Sequence, residues 1–217
     1  MDRHRIVQRI LDAGVVAVVR LSDSSQLAKV ADAIRAGGVD VIEFTMTTPG
    51  ALRIIEESTG RFGDDVLLGA GTVLDSETAR AAILAGAQFI VSPVTDFDTI
   101  ELCLRYGKVV MPGAFTPTEI LRAWQAGAEF VKVFPAGAVG PRYLKDVLAP
   151  LPQVKLVPTG GVGPSNAAEY IKNGAAAIAV GGELVNNRLV AEGMFEALTE
   201  TARALTAAVR SARAATL

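Results

Sequence analysis

Residues 116–136 read TPTEILRAWQAGAEFVKVFPA, and two different periodicities meet inside them. TPTEILRAWQAGA has helical spacing and ends in Ala-Gly-Ala, consistent with a glycine C-cap. Phe130-Val131-Lys132-Val133-Phe134 is short, β-branched and aromatic, which reads as a buried strand. Helix, glycine, strand is the joint of a βα repeat. The rest of the chain repeats it.

Apolar, β-rich runs occur at VVAVVR (15–20), VDVIEFT (39–45), VLLGAGT (66–72), QFIVSP (88–93), KVVMPGA (108–114), EFVKVFP (129–135), VKLVPTG (154–160) and AAIAVGG (176–182), eight in all. Between them lie helical patterns such as SSQLAKVADAIRAGG, SETARAAILAGA and PSNAAEYIKNGA, several ending in the same Ala-Gly or Asn-Gly punctuation. The period is roughly 20–25 residues, the length of one βα unit. Strands apolar on both faces imply a parallel sheet covered by helices. Eight such repeats with no Pro/Ser linker predict one domain over residues 1–217, a closed (β/α)8 barrel rather than an open doubly wound sheet. An extra helix is expected before the first strand, around residues 3–13. At the other end Phe195, Leu198, Ala202, Leu205 and Val209 form a helical stripe that should pack on the barrel.

Composition narrows the chemistry. Of 217 residues, 50% are hydrophobic but only 6% aromatic, so the core is built from Val, Ile, Leu and Ala. The net charge is −2 with no basic cluster, which argues against a nucleic-acid or anionic-membrane surface. GVVAVV near the N-terminus is too short for a signal peptide or a membrane span, so a soluble, cytoplasmic protein is expected. The single cysteine, Cys103 in ELCLRYG, reads as a small core residue and excludes an internal disulfide and thiolate zinc sites. The single histidine, His4, lies in the charged start MDRHR. A mechanism built on a histidine base or on metal ligands is therefore not expected, and no cofactor fingerprint is present.

Against that background Lys132 needs a reason. An ammonium in a buried apolar strand is costly. Either the lysine ends the strand and reaches water, or its amine works as a neutral base. In a barrel the active residues sit at the C-terminal ends of strands, and alternation decides which of them look inward. Glu43 shares parity with Val41 and Thr45, and Lys132 with Phe130 and Phe134. Arg20, Thr72 and Ser92-Pro93 end three further strands. A buried Glu43–Lys132 ion pair is one reading of the first two, and a solvated strand-end charge is one reading of Arg20. Together, an acid, a lysine, an arginine and a threonine at one end of several strands suit covalent chemistry. A desolvated lysine has a lowered pKa and can attack a ketone to form a Schiff base, while a neighbouring carboxylate moves protons. In PTGGV (158–162) and VGG (180–182), the backbone of Gly160, Gly161, Gly181 and Gly182 can approach a phosphate, with a helix expected to start near Pro164 and aim at the same place. Tight turns are the plainer reading of each pair alone.

VIEFTMTTPGA, LLGAGTVL, FIVSP, MPGAFTPTE, FVKVFPA, VPTGGV and AVGG, in this order and spacing, resemble the class I 2-keto-3-deoxy-6-phosphogluconate aldolases, many of which also act on 4-hydroxy-2-oxoglutarate. The resemblance spans essentially the whole chain. It implies a (β/α)8 barrel assembled as a homotrimer, with a sugar-acid substrate and no cofactor. It also implies Lys132 as the Schiff-base lysine, Glu43 as the acid/base residue, Thr72 and Pro93 lining the pyruvate pocket, Phe134 against the Schiff base, and the two Gly pairs on the substrate phosphate. Two positions depart from the pattern. Thr47 stands where some relatives carry an arginine, a charge that Arg20 could supply. Glu183 follows the last Gly-Gly where a small hydroxyl residue is common; it is expected to open the first turn of a short helix, with its side chain turned outward. Two rival readings remain at this stage. One is a phosphate-binding barrel isomerase or synthase in which Lys132 is an electrostatic clamp, and the other is a catalytically silent trimeric scaffold.

Overall fold

The computed structural model describes residues 1–21 and 24–215. In chain order the elements are α1 (Arg3–Ala13), β1 (Val15–Val19), α2 (Leu27–Ala36), β2 (Val41–Thr45), α3 (Ala51–Phe62), β3 (Leu67–Gly71), α4 (Ser76–Leu84), β4 (Phe89–Val91), α5 (Phe97–Arg105), β5 (Val109–Met111) and β6 (Gly113–Ala114). There follow α6 (Pro117–Gln125), β7 (Val131–Val133), α7 (Pro141–Leu148), β8 (Leu156–Pro158), α8 (Ala167–Lys172), β9 (Ile178–Val180), α9 (Asn187–Ala191) and α10 (Phe195–Ala214).

The unit at 116–136 shows why the helix and strand divide where they do. Thr116 and Glu119 form a reciprocal capping box, and Pro117 sits at the first helical position where its missing N–H costs nothing. Gly127 then takes φ 98°, which an L side chain adopts only under strain, and releases the chain toward β7. Aspartates do the N-terminal work elsewhere: Asp75 accepts from the Thr78 N–H and Asp96 from the Thr99 N–H.

The strands form a curled six-stranded parallel sheet in the order β5-β4-β3-β2-β1-β9, a half-barrel, and a three-stranded parallel sheet β6-β7-β8. A parallel bridge between Thr159 and Ala179 links β8 to β9. The run KVVMPGA, read from the sequence as one strand, is divided by Pro112 into β5 and β6. Proline has no N–H for a ladder, but its carbonyl still accepts from the Lys132 N–H at 2.9 Å.

Alternation sorts the strand side chains into two layers. Ile42, Phe44, Val131 and Val133 join the larger apolar cluster, which also takes in Ile34 and Ile55 from α2 and α3 and Leu198, Leu205 and Val209 from α10. Val16, Val18, Val41, Leu67, Phe89, Val109, Phe130 and Val157 form the second cluster on the opposite face. Ile6 and Ile10 of α1 belong to this second cluster and are fully buried. Burial of each contributes about 1.5–3 kcal/mol, which fixes α1 against that face. Arg3 adds an ion pair to Glu129. Glu43 and Lys132 share strand parity with Val41 and Phe130 and so lie on the face of the second cluster. Cys103 is buried in the larger cluster, and burial pushes its thiol up to about 12, so it is an unreactive packing residue. Among the described residues no helix is long and apolar enough to cross a membrane.

Candidate active site

Lys132 is central to β7, paired with Gly113 of β6 on one side and Val157 of β8 on the other. It is 5% exposed, and its Nζ lies 5.0 Å from the centre of the Phe134 ring. Glu43 is central to β2, in register with Val18 of β1 and Gly69 of β3, and is 1% exposed. Among the described residues neither of its carboxylate oxygens has a protein hydrogen-bond partner. The two residues are therefore not held as a hydrogen-bonded ion pair, the arrangement that would have made them purely structural.

Their protonation follows from that placement. Burial pushes the Lys132 amine well below the ordinary lysine range; the negative charge of Glu43 opposes this and the positive charge of Arg20 reinforces it. Burial pushes the Glu43 carboxyl above the ordinary carboxylate range, opposed by Lys132 and then by Arg20. Desolvation is the largest cause in both cases, so both groups lean toward their neutral forms. A neutral amine is a nucleophile, and a carboxyl with two unpartnered oxygens can both give and take a proton.

Room for Glu43 comes from the neighbouring strand. A β-carbon at position 71 would lie 1.5 Å from Glu43 Oε1 and 2.1 Å from Cδ. The GAG of β3 is thus a slot for the carboxyl, and Gly71 has no side chain because Glu43 occupies the space. Thr72, the next residue, sits at φ 56°, the left-handed region that a β-branched residue rarely visits. Strain of this kind costs of the order of 1–3 kcal/mol and persists where the surroundings impose it.

A cavity of about 530 Å³ opens at the C-terminal ends of the strands, and it is lined by Arg20, Glu43, Thr72, Pro93, Lys132 and Phe134 together with both glycine pairs. Every residue to which the sequence assigned a part in catalysis or substrate binding therefore reaches one cavity. Arg20 lies just beyond β1 and is exposed. Pro93 follows β4, and its carbonyl oxygen would lie 2.2 Å from a β-carbon at Gly113, so these two backbones touch. Thr47 does not line the cavity; its hydroxyl is 3.1 Å from that of Thr45.

The glycine loops depart from expectation in two ways. The helix expected near Pro164 begins at Ala167, after a turn in which Asn166 takes the Gly163 N–H on Oδ1 at 2.9 Å and donates from Nδ2 to the Gly161 carbonyl at 2.8 Å. Glu183 stands in a turn ahead of α9, not in its first turn, because the Leu184 and Val185 N–H groups close back on the Gly181 carbonyl and Asn186 caps the helix instead. Gly160 and Gly161 both have positive φ, 83° and 75°, a succession that turns backbone N–H groups outward. Among the described residues the N–H groups of Gly161, Val162, Gly182 and Glu183 donate to no partner. Unpartnered amides from two adjacent loops facing one cavity make a place for an anion.

Reading from the sequence missed Val18, Thr159, Val162, Val185, Asn186 and Asn187 in the lining. Val18 was within reach, since it shares a face with Arg20 one step along β1. Asn186 could have been found as a helix cap before RLVA. Asn166, which braces the first glycine loop from outside, carried no local signal.

Comparison with known proteins agrees with this geometry. The family model described as "KDPG and KHG aldolase" matches residues 6–201. The chain is 37% identical over 172 residues to the 2-dehydro-3-deoxy-6-phosphogalactonate aldolase of Escherichia coli, covering 78% of this chain and 83% of that protein. It is 37% identical over 194 residues to the 2-dehydro-3-deoxy-phosphogluconate aldolase of Treponema pallidum, covering 89% and 90%. Among solved structures, the KDPG aldolase of Legionella pneumophila, with pyruvate captured as a covalent carbinolamine intermediate, superposes with a TM-score of 0.86 at 29% identity, covering 92% of this chain and 97% of that one.

Proposed function

This chain belongs to the KDPG and KHG aldolase family, and we propose that it is a Schiff-base aldolase cleaving 2-keto-3-deoxy-6-phosphogluconate to pyruvate and glyceraldehyde 3-phosphate, and 4-hydroxy-2-oxoglutarate to pyruvate and glyoxylate. The observation that carries the proposal is the buried Lys132 amine, its pKa lowered by that burial, in one cavity with a Glu43 carboxyl whose oxygens have no protein partner among the described residues. The E. coli and Treponema relatives are named for phosphorylated sugar acids of this kind.

On this reading the neutral Lys132 Nζ attacks the substrate's C2 carbonyl, a C–N bond forms, and the oxygen takes a proton to give a carbinolamine. Glu43 protonates the departing hydroxyl, water leaves, and a protonated imine remains. Glu43, now a carboxylate, removes the proton of the C4 hydroxyl. The C3–C4 bond breaks, its electrons pass into the imine to give an enamine, and the aldehyde departs. A proton returns to C3, and water hydrolyses the imine to release pyruvate and free the lysine. Positioned groups with matched pKa values contribute roughly 10²–10⁴-fold to such proton transfers. Arg20 holds the substrate carboxylate, Thr72 and Pro93 shape the pyruvate pocket, and Phe134 shields the imine. The amides around Gly160, Gly161, Gly181 and Gly182 receive the phosphate. The residues need no cofactor for any of these steps.

The same proposal takes residues 1–217 as one domain and joins the two sheets into a single (β/α)8 barrel, with α1 as an additional helix covering its N-terminal end. It is supported by the Thr159–Ala179 bridge on one side and by the continuity of β5 and β6 through Pro112 on the other. A homotrimer in the cytoplasm completes the reading implied by the family resemblance. Light scattering tests the trimer. The chemistry is tested by incubation with pyruvate, reduction with borohydride and mass spectrometry of the peptides. A pyruvate-sized adduct on Lys132 is expected, and its absence would return the chain to an isomerase, a synthase or a silent scaffold.

A further inference from the structure

We propose that Gly163 is a positioning residue: it gives the Glu183 side chain a place to lie, and so keeps a carboxylate off the amides that receive the substrate's distal phosphate. The inference rests on the reading of those loops as the phosphate subsite.

Glu183 is placed awkwardly for a phosphate site. Its own N–H is one of the unpartnered amides, and it lines the cavity. A carboxylate a few Å from a phosphate would repel it. The structure shows where the side chain goes instead. A β-carbon built on Gly163 would lie 3.1 Å from Glu183 Cγ, 3.2 Å from Cβ and 3.3 Å from Oε2. The side chain thus lies along Gly163 over its whole length, carboxylate included. Gly163 is buried and falls just outside the cavity lining, whereas Gly160, Gly161 and Val162 are within it. Glu183 is therefore laid back one residue beyond the amides.

The backbone does not demand glycine at this position. Gly163 is not among the glycines of positive φ, and its N–H is already bonded to Asn166. It also precedes Pro164, which restricts it to the extended conformations open to any residue. The three nearest atoms that an added methyl would meet all belong to Glu183. Turning the glutamate about its Cα–Cβ bond relieves the Cγ and Oε2 contacts, while the Cβ contact, which that rotation does not move, is eased by a backbone shift of a few tenths of an ångström. A carboxylate turned into the cavity shares its lining with the unpartnered N–H groups of Gly161, Val162 and Gly182, and donors without a partner attract an anion. There it would occupy the donors that phosphate needs.

The test is a mutant cycle read with two substrates, the phosphorylated sugar acid and the same acid without its phosphate, and with inorganic phosphate as an inhibitor. Gly163→Ala is expected to lose roughly tenfold or more in kcat/KM on the phosphorylated substrate (about 1.4 kcal/mol), mainly through KM. Its loss on the unphosphorylated acid should be much smaller, inhibition by phosphate should weaken in parallel, and the borohydride adduct on Lys132 should be retained. Adding Glu183→Gln should restore most of the loss. Equal losses on both substrates, no loss, or no rescue by Glu183→Gln would each overturn the proposal, while a wild-type preference for the phosphorylated substrate leaves the subsite reading standing. If wild type shows neither that preference nor inhibition by phosphate, the subsite reading fails and takes this inference with it. Glu183→Gln in the wild-type background gives an answer independent of how well the alanine variant folds. A withdrawn carboxylate predicts less than a tenfold gain for the phosphorylated substrate, and a larger gain means that Glu183 faces the amides already.

Discussion

Replacing Lys132 by methionine separates its chemistry from its packing. Methionine has a similar length and no charge, and it enters a strand just after Phe130, which shares its parity and is fully buried. Volume-conserving swaps of this kind usually cost less than about 1.5 kcal/mol. The amine itself costs stability, because its pKa is depressed in the folded protein. The unfolded chain then binds more protons than the native one between the depressed pKa and the ordinary value of 10.5. Native stability therefore rises with pH across that window, and the cost is fully present below it. Each unit of depression is worth about 1.4 kcal/mol. Methionine removes that cost but also removes the positive charge that holds Glu43 down. The Glu43 carboxyl then rises further, so a native proton is retained to higher pH, and stability falls as pH rises through that range.

These two contributions oppose each other, so Lys132→Met should stay within about 2 kcal/mol of wild type near neutrality. Turnover should fall by roughly 10⁴-fold or more, the scale on which loss of a covalent nucleophile acts. Urea denaturation at pH 7 and pH 10 measures the first quantity. Pyruvate release, coupled to its reduction by a dehydrogenase, measures the second. Wild type should gain stability relative to the variant between the two pH values. If the variant keeps a hundredth of wild-type turnover, or still forms a pyruvate adduct, Lys132 is not the nucleophile. If it fails to fold, the lysine is a structural partner of Glu43 and the chemistry lies elsewhere.

Other substitutions test the remaining parts of the site. Glu43→Gln keeps the shape of the side chain and removes its proton transfer, so kcat should fall by roughly 10²–10⁴-fold while slow adduct formation with pyruvate survives; turnover within a few-fold of wild type would leave Glu43 a packing residue. Arg20→Ala should lower kcat/KM by the loss of a charge-assisted contact, about 1.5–3 kcal/mol. Because the Arg20 charge helps to depress the Lys132 pKa, its removal should also move the acidic limb of the pH–rate profile to higher pH, an effect that fades with added salt. An unchanged profile would place Arg20 in solvent with no bearing on the lysine. Gly71→Ala drives a methyl into Glu43 and should cost about 1–3 kcal/mol of stability together with most of the activity, measured by denaturation and kinetics on the same preparation; wild-type values in both would mean that the carboxyl has another place to go.

The fold was legible where one rule governs many residues. Eight apolar runs with helices between them yield a parallel sheet because each strand must be covered on both faces, and the structure shows that sheet curled, with α2, α3 and α10 contributing to the outer apolar layer. Parity along single strands placed Glu43 and Lys132 on the same face without any knowledge of neighbours. Legibility failed where the outcome depends on one hydrogen bond. Pro112 splits a run that hydropathy alone joins. The helix expected near Pro164 starts later because Asn166 takes the Gly163 N–H, and Glu183 is kept out of α9 because two amides turn back to the Gly181 carbonyl. Such choices between a turn and another turn of helix differ by about the worth of one hydrogen bond, about 1 kcal/mol, which residue patterns do not resolve.

The glycines show the same boundary from the other side. From the sequence, GAGT, TGGV and VGG look alike, as small residues permitting turns or close approach. In the structure they do different things. Gly71 is a void filled by a carboxyl. Gly160 and Gly161 carry positive φ and turn a loop over Asn166. Gly182 has open space around it and no conformational demand, so its lack of a side chain matters to whatever enters the cavity. The distinction has a measurable consequence, since alanine at each position removes something different. At 71 it displaces a side chain, at 161 it strains the backbone and meets Gly137 Cα at 2.9 Å, and at 182 it adds bulk only to the cavity. Stability should therefore fall at 71 and 161 and hold at 182, whereas binding of a phosphorylated substrate should suffer at 161 and 182. That pattern requires the second glycine loop to be built around the ligand rather than around the fold.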